Sequence, residues 1–503
     1  MQVSITESGG AAHSGVRADI ADPVAPDTAR HTHPRAAVAV LCAAGIVVSL
    51  MQTIIVPLIP ELPVLLHAAP GNTTWALTIT LLVGAVITPV GGRLGDMYGK
   101  RRMLIASMGC VAAGSVLCAL TSSLVPFLIG RGMQGLGFGT IALGVSVMRD
   151  IVPTRYLGSS VGTMSASLGI GGALGLPVSA LIAEHIGWHA LFWMCAAVAA
   201  AGGIGIALTV PESRGRSGGR FDLPGAIGLT AILACLLLPL SKGATWGWGS
   251  PLTIGLLVAF VVIGAIWWMM QRRQPNALID IQVALERPVL LTNIASVATG
   301  FAFYSMQLMP IQILMAPSSG PVGLGYQMVT ASLILAPSGL VMFVFSHISA
   351  RITDRCGPRI SLSLGGVIIG MGYVVFLVVL GGGWGFTWWS MVIVNCLIGA
   401  GLGTAYASMP ALIMRAVPIA QTGEANGVNA LMRVVGTSTS AAVVGMILTW
   451  SMVSVAGPDR SVVEVPDTTG YLVAAAISLG ACAVAAIVAL AIPASRHPHF
   501  DEV

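Results

Sequence analysis

The sequence is short of charge. Of 503 residues, 24 are Lys or Arg and 19 are Asp or Glu, 9% of the chain, where a soluble domain carries about a quarter. With 55% hydrophobic residues and a mean hydropathy of +0.89, that scarcity excludes a water-soluble globular protein. Pro288 to Ala350 contains no Asp, Glu, Lys or Arg at all, enough for two helical spans of roughly 20 residues and a turn. Cysteine is scarce as well. The eight (Cys42, Cys110, Cys118, Cys195, Cys235, Cys356, Cys396 and Cys482) fall in apolar runs or their short connections without metal-ligand spacing, so neither a disulfide nor a metal site is expected. The net charge of +5 follows from loop orientation and requires no nucleic-acid partner. Residues 1–35 are polar and lack an apolar h-region, so they read as a disordered cytoplasmic tail and not as a signal peptide.

What is present is a succession of apolar runs. Breaks at charged, Gly/Pro or Trp-Gly positions give fourteen spans, near 36–60, 74–92, 103–122, 124–148, 158–183, 188–210, 223–241, 251–270, 288–315, 327–350, 359–380, 386–408, 424–450 and 470–492. With the N-terminus inside, the tails and the loops after even-numbered spans hold 20 of the 24 Lys and Arg. Only Lys242 and Arg460 fall on the opposite side, and Arg131 and Arg433 lie within spans. Basic loops face the cytoplasm, so both termini are placed there, in a multi-pass protein of the cytoplasmic membrane. The excess of Arg over Lys and the Ala/Gly/Val richness fit a GC-rich bacterium.

Charge is concentrated in "RLGDMYGKRR", residues 93–102, between spans 2 and 3. It has an echo: "GRLGDMYGKRR" (Gly92 to Arg102) aligns without gaps on "ARITDRCGPRI" (Ala350 to Ile360), matching Arg93 to Arg351, Asp96 to Asp354, Gly99 to Gly357 and Arg101 to Arg359. Orientation alone requires basic residues, not an acid and a glycine at fixed offsets. Internal repeats build many secondary transporters, with the substrate site between the halves. The organisation is therefore a tail (1–35), a six-helix half (36–211), a linker with two inserted helices (212–287), a second six-helix half (288–495) and a tail (496–503).

At these residues the chain resembles the major facilitator superfamily, and within it the fourteen-span drug:proton antiporter branch. "GGRLGDMYGKRR" is similar to the loop signature between spans 2 and 3, and "RGMQGLGFGT" (Arg131 to Thr140) to the span-4 signature. "FDLPGAIGL" and "GATWGWGSP" resemble the inserted helices, and "GEANGVNALMRVVG" (Gly423 to Gly436) the thirteenth span. The resemblance implies an all-α integral membrane protein of two six-helix halves plus two inserted helices, which exports lipophilic drugs, antibiotics or natural products. It implies the proton gradient as energy source, no cofactor, and a single chain sufficient as a monomer.

Arg93, Gly95, Asp96, Gly99, Arg101, Arg149, Asp354 and Gly357 are the gating candidates. Gly95 and Gly99 permit a tight turn close to a neighbouring helix. Asp96 could pair with Arg93 or Arg101, or accept from a helix N-terminus in the other half, where the macrodipole favours an anion. The alternative is a solvated loop pair. Gly171 and Gly175 keep the small-xxx-small spacing of close helix packing, with Pro177 displaced by one from the branch pattern and Ser179 and Ala180 where its glycine pair stands.

Met51 occupies the place where the branch usually has a span-1 aspartate, and no acid lies deep in any span. A proton carrier normally uses an intramembrane ionisable group, so the coupling candidates are Arg131 with Gln134 at i+3 on one face, and the span-end acids Glu61 and Glu184. Arg131 reads either as a coupling or binding group or as a cap on the carbonyls of a broken helix. The cavity candidates are Gln52, Thr53, Trp75, Thr78, Tyr304, Gln307, Gln312, Tyr406, Asn426, Asn429 and Arg433, with Met306 and Met309 as adaptable surface. A few polar groups in an apolar wall suit an amphipathic small molecule or a lipid, and two span arginines without a span carboxylate favour a neutral or weakly anionic one. A lipid translocator is the alternative cargo reading. A membrane enzyme would need a catalytic pair or metal cluster, which His31, His33, His185 and His189 do not make, and no filter-like repeat suggests a channel.

Overall fold

The computed structural model describes residues 34–55, 58, 62–73, 75–212, 220–274, 277–382, 387–418, 421–456 and 462–493. Glu61, Arg460, the tail 496–503 and nearly all of the tail 1–35 lie outside them. In chain order the long helices are α1 (Pro34–Thr53), α2 (Trp75–Tyr98), α3 (Lys100–Leu120), α4 (Leu124–Gly135), α5 (Gly139–Ile151), α6 (Thr154–His185), α7 (Trp188–Thr209), α8 (Leu223–Trp246), α9 (Pro251–Gln271) and α10 (Arg287–Met315). They continue as α11 (Met328–Leu335), α12 (Pro337–Cys356), α13 (Pro358–Gly381), α14 (Trp388–Ala416), α15 (Thr422–Trp450) and α16 (Thr468–Ala491). Between α15 and α16, β1 (Met452–Ala456) pairs antiparallel with β2 (Val462–Pro466).

Twelve helical stretches among the described residues are long and apolar enough to cross a membrane, and a pair bent by 40° inside α6 makes a thirteenth. The bend lies between Gly172 and Pro177, where proline removes a backbone donor and clashes with the preceding turn. The expected span 124–148 is instead two helices joined by a 3-10 turn, Leu136–Phe138. Its glycines at 130, 132, 135, 137 and 139 each weaken a helix by about 1 kcal/mol relative to alanine. At two of them backbone packs against backbone: a Cβ on Gly135 would lie 2.6 Å from the Thr80 carbonyl oxygen, and one on Gly130 2.7 Å from that of Gly114. The expected span 327–350 is one stretch, Met328–Cys356, whose helix is interrupted before Pro337.

The first half, α1 to α7, surrounds a core that includes Leu41, Met51, Met108, Phe127 and Phe192. The second, α10 to α16, has its own core around Ala302, Ile369, Tyr373, Phe376 and Tyr406. The halves meet along two seams, α2 on α15 and α6 on α12. Glycines bring backbones together there: a Cβ on Gly427 of α15 would meet the Thr88 carbonyl oxygen of α2 at 2.6 Å, and one on Gly162 of α6 would meet that of Ser346 of α12 at 2.9 Å.

The inserted pair α8/α9 covers the outside of the first seam, where Leu229, Leu233 and Leu237 of α8 share a core with Ala85 and Val90 of α2 and Val428 and Leu431 of α15. At one end of α8, Ser241 hydrogen-bonds Thr78 at 2.8 Å and the Lys242 ammonium lies 5.2 Å from the centre of the Trp75 ring. At the other end, Asp222 caps α8 through the Gly225 N–H (2.9 Å) and accepts from Gln271 Nε2 (2.6 Å) and the Leu278 N–H (3.1 Å). Lys242, expected in a loop, is buried in the last turns of α8, which runs five residues beyond the expected span end at 241.

Candidate functional site

The charged decapeptide is not a loop. α2 runs through to Tyr98, α3 begins at Lys100, and Gly99 alone connects them at φ 110°, as Gly357 connects α12 to α13 at φ 90°. Only glycine adopts such angles without strain, and a one-residue link fixes the flanking side chains rigidly. Gly95 lies against Leu143 of α5.

On this side of the molecule Asp96, 1% exposed, accepts the Glu424 backbone N–H at 3.0 Å through Oδ2. That amide is in the first turn of α15, in the opposite half, where unpaired N–H groups and the helix dipole favour an anion. Lys100 Nζ stands 3.9 Å from Asp96 and 2.9 Å from Asp150. Arg93 pairs with the Glu424 carboxylate at 3.4 Å, whose other oxygen accepts the Asp280 N–H at 2.7 Å. Arg149, at the end of α5, donates to the Thr422 hydroxyl and to the Val417 carbonyl (3.3 Å from Nη2). Three side chains of the first half thus hold the start of α15, and the connection after the inserted pair is held to the same glutamate. Arg101 bonds the Ala207 carbonyl within its own half instead of Asp96. Asp354, the repeat partner of Asp96, is exposed beside Gly158 of α6, a Cβ on which would lie 3.2 Å from its Oδ1.

Sequence reasoning placed Glu424 at a span end without a role, yet it contributes both its amide and its carboxylate to this cluster. Arg149, a gating candidate from the sequence, also lies in a second echo, Met148-Arg149 against Met414-Arg415, each followed within four residues by a proline.

Arg131 is fully buried. Its Nε donates to the Ala76 carbonyl of α2 at 3.2 Å, and its Nη1 to the Met51 carbonyl of α1 at 3.4 Å and to Gln134 Oε1 at 2.5 Å. Gln134 passes the chain on to Ser115 of α3 at 2.8 Å. The guanidinium therefore joins α1, α2 and α4, while its Nη2 has no hydrogen-bond partner among the described residues. Glu184 falls in the last turn of α6, its side chain outside the described residues.

Gln52, Thr53, Tyr304, Gln307, Gln312 and Arg433 are half-buried, and Thr53 packs against Gly175 of α6 inside the first half. Gln307 reaches across the interface: a Cβ on Gly172 of α6 would lie 3.9 Å from its amide nitrogen and 3.9 Å from the Ser49 hydroxyl of α1. The Arg433 guanidinium sits 5.0 Å over the Tyr406 ring, and the Tyr406 carbonyl accepts from Ser165 of α6 at 3.2 Å. Three expectations need correction. Trp75 and Thr78 are turned to the inserted helix, because α8 covers that end of α2. Asn429 ties α15 to Asn293 (3.0 Å) and Ser296 (2.7 Å) of α10, and Asn426 bonds the Thr422 carbonyl at 2.9 Å, so both are internal braces. Met306 and Met309 belong to the second core. Gly171 and Gly175 face α1, with Ser179 continuing the stripe through a 2.5 Å bond to the Ile54 carbonyl.

A side chain at Gly427 has no room beside the Thr88 carbonyl, so Gly427→Leu is expected to loosen the α2/α15 seam and lower the thermal unfolding midpoint, checked by thermal unfolding of the purified protein.

Comparison with known proteins agrees with this architecture. The chain is 26% identical over 426 residues to the tetracenomycin C resistance and export protein of Streptomyces glaucescens, covering 82% of this chain and 75% of that one. It is 25% identical over 380 residues to the probable actinorhodin transporter of Streptomyces coelicolor, covering 74% of this chain and 65% of that one. The crystal structure of the human organic anion transporter MFSD10 shares the fold, with a TM-score of 0.65 at 14% identity over 91% of this chain and 99% of the other. The family model described as Major Facilitator Superfamily matches residues 41–441. With most of both halves inside that match, this multi-pass membrane protein belongs to the Major Facilitator Superfamily, a family of transporters of small molecules.

Proposed function

We propose that this chain exports lipophilic drugs, antibiotics or natural products across a bacterial cytoplasmic membrane by alternating access, with both termini in the cytoplasm and protons as the exchanged ion. The observation that carries the reading is the interface between the halves. It is clasped by Asp96, Arg93 and Arg149 on α15 and carries further polar contacts, Ser165 to the Tyr406 carbonyl and Gln307 beside Gly172. A charged clasp between two halves is what a rocking mechanism breaks and remakes. The described conformer is then the one closed on the cytoplasmic side. The name of the Streptomyces glaucescens relative, a tetracenomycin C resistance and export protein, supports export as the direction.

Proton coupling has an unusual setting in this proposal. Among the described residues the buried acids are Asp96, Asp222 and Glu424, all at the clasped side, while Met51 stands beside Arg131. Coupling would run through the gate carboxylates or through the span-end acids Glu61 and Glu184. Liposomes containing the purified protein, with and without an imposed pH gradient, test this with a neutral amphiphilic drug and a cationic dye in parallel. Gradient-driven accumulation of the drug supports antiport. Movement that ignores the gradient removes the proton from the mechanism and favours facilitated or lipid transport.

A further inference from the structure

Two arginines lie within the spans, and they differ in what they leave open to a ligand. Arg131 is enclosed in the first half, bonded to two main-chain carbonyls and Gln134. Arg433 is half-buried at the meeting of α15, α14 and α6. No hydrogen bond or ion pair to another described residue uses its guanidinium, and the ion pairs among the described residues involve other bases. Its one partner is the face of Tyr406 at 5.0 Å. A charge at this depth is costly unless a counter-charge or water meets it, and the buried acids of the described residues are engaged elsewhere.

We infer that Arg433, stacked on Tyr406, is the recognition group for an acidic substituent of the cargo, so that the transported class is amphiphilic organic anions bearing a carboxylate or an ionised phenol. The inference rests on the export reading and narrows it. A guanidinium held over an aromatic face is oriented by it, and its N–H groups can form paired, charge-assisted bonds to two oxygens. Tyr406 is itself fixed. It is 4% exposed, its carbonyl accepts from Ser165 of the other half, and Phe303 packs at 6.0 Å between ring centres. Gln307, reaching towards Gly172 and Ser49, offers a neutral polar contact to the rest of the molecule. The aromatic pair supplies the apolar wall. Because the surrounding residues come from both halves, an anion seated here would be held differently in each conformer, which is the condition for a ligand to shift the equilibrium.

The test is a matched pair of probes that differ only in charge, pyrenebutyrate and pyrenebutyramide, in equilibrium binding to the purified full-length protein. Wild type is expected to bind the acid more tightly than the amide by about tenfold or more, the strength of a charge-assisted bond. Arg433→Gln is expected to remove that preference and leave amide binding within about twofold. Tyr406→Leu keeps the charge but loses the platform, and is expected to weaken acid binding alone, so the inference stays testable if Arg433→Gln does not fold. Equal binding of the two probes by wild type, binding of neither, or an unchanged ratio in both variants overturns it. Because the readout is binding and not flux, its failure is separate from failure of the export reading in liposomes.

Discussion

Asp96→Ala is expected to open the clasped side. In the closed conformer the substitution strips the anion from the start of α15 and leaves the buried Glu424 N–H without an acceptor. It also leaves Lys100 with Asp150 as its only carboxylate. An anion at a partly buried helix N-terminus contributes up to about 2 kcal/mol, and an orphaned buried donor costs about 1–3 kcal/mol. Both terms act on the closed conformer alone, because the contact joins opposite halves. A bias of roughly 3 kcal/mol shifts the equilibrium by about two orders of magnitude. Spin labels at Tyr98 and Cys356, exposed ends of α2 and α12 in opposite halves, should report a longer distance distribution in double electron–electron resonance. Asp96→Asn, which keeps an acceptor and loses the charge, should fall between. An unchanged distribution in Asp96→Ala would mean that the cluster is a static brace.

The repeat was legible in the sequence because its constraint is local. A single glycine at positive φ between two helices, with an acid three residues before it, leaves the same trace wherever the geometry recurs, and the Asp96/Asp354 and Gly99/Gly357 pairs show that trace. The partner was not legible. Glu424 is 328 positions from Asp96, and nothing in a helix start announces which carboxylate will reach its amides. Helix breaks divide in the same way. The glycines around Leu136 weaken the fourth span by intrinsic propensity, which a sequence shows. The choice between a bent helix and two short ones is set by the Thr80 carbonyl approaching Gly135, which it does not. The alternation in "MVSVA" and "VVEVP" has the period of a strand and marks the β1–β2 hairpin, but within so apolar a chain the helical pattern overshadows it. Cavity residues were the least legible, because an amide on a span looks the same whether it braces α15 to α10, as Asn429 does, or stands in the interface, as Gln307 does.

The last expected result concerns Arg131, where charge and structure are hardest to separate. Arg131→Met keeps the volume but removes the donor to the Met51 carbonyl and the Gln134 amide oxygen and leaves the Ala76 carbonyl with the Thr80 hydroxyl, all inside the first half. Breaking a buried charged network by removing one member typically costs about 3–5 kcal/mol, comparable to the whole stability of many domains. A large fall in the thermal unfolding midpoint and in folded yield is therefore expected, with transport lost as a consequence. The double change Arg131→Met with Gln134→Leu discriminates. If the guanidinium serves chiefly to tie α1, α2 and α4 together, removing its side-chain partner as well should recover part of the stability, since an apolar replacement of both members leaves fewer orphaned groups. Transport should then recover in proportion to folded protein. A stable, correctly folded double variant with no gradient-driven flux would instead assign Arg131 to coupling, with its Nη1, bonded to the Met51 carbonyl, at the place where the branch usually carries a first-span aspartate.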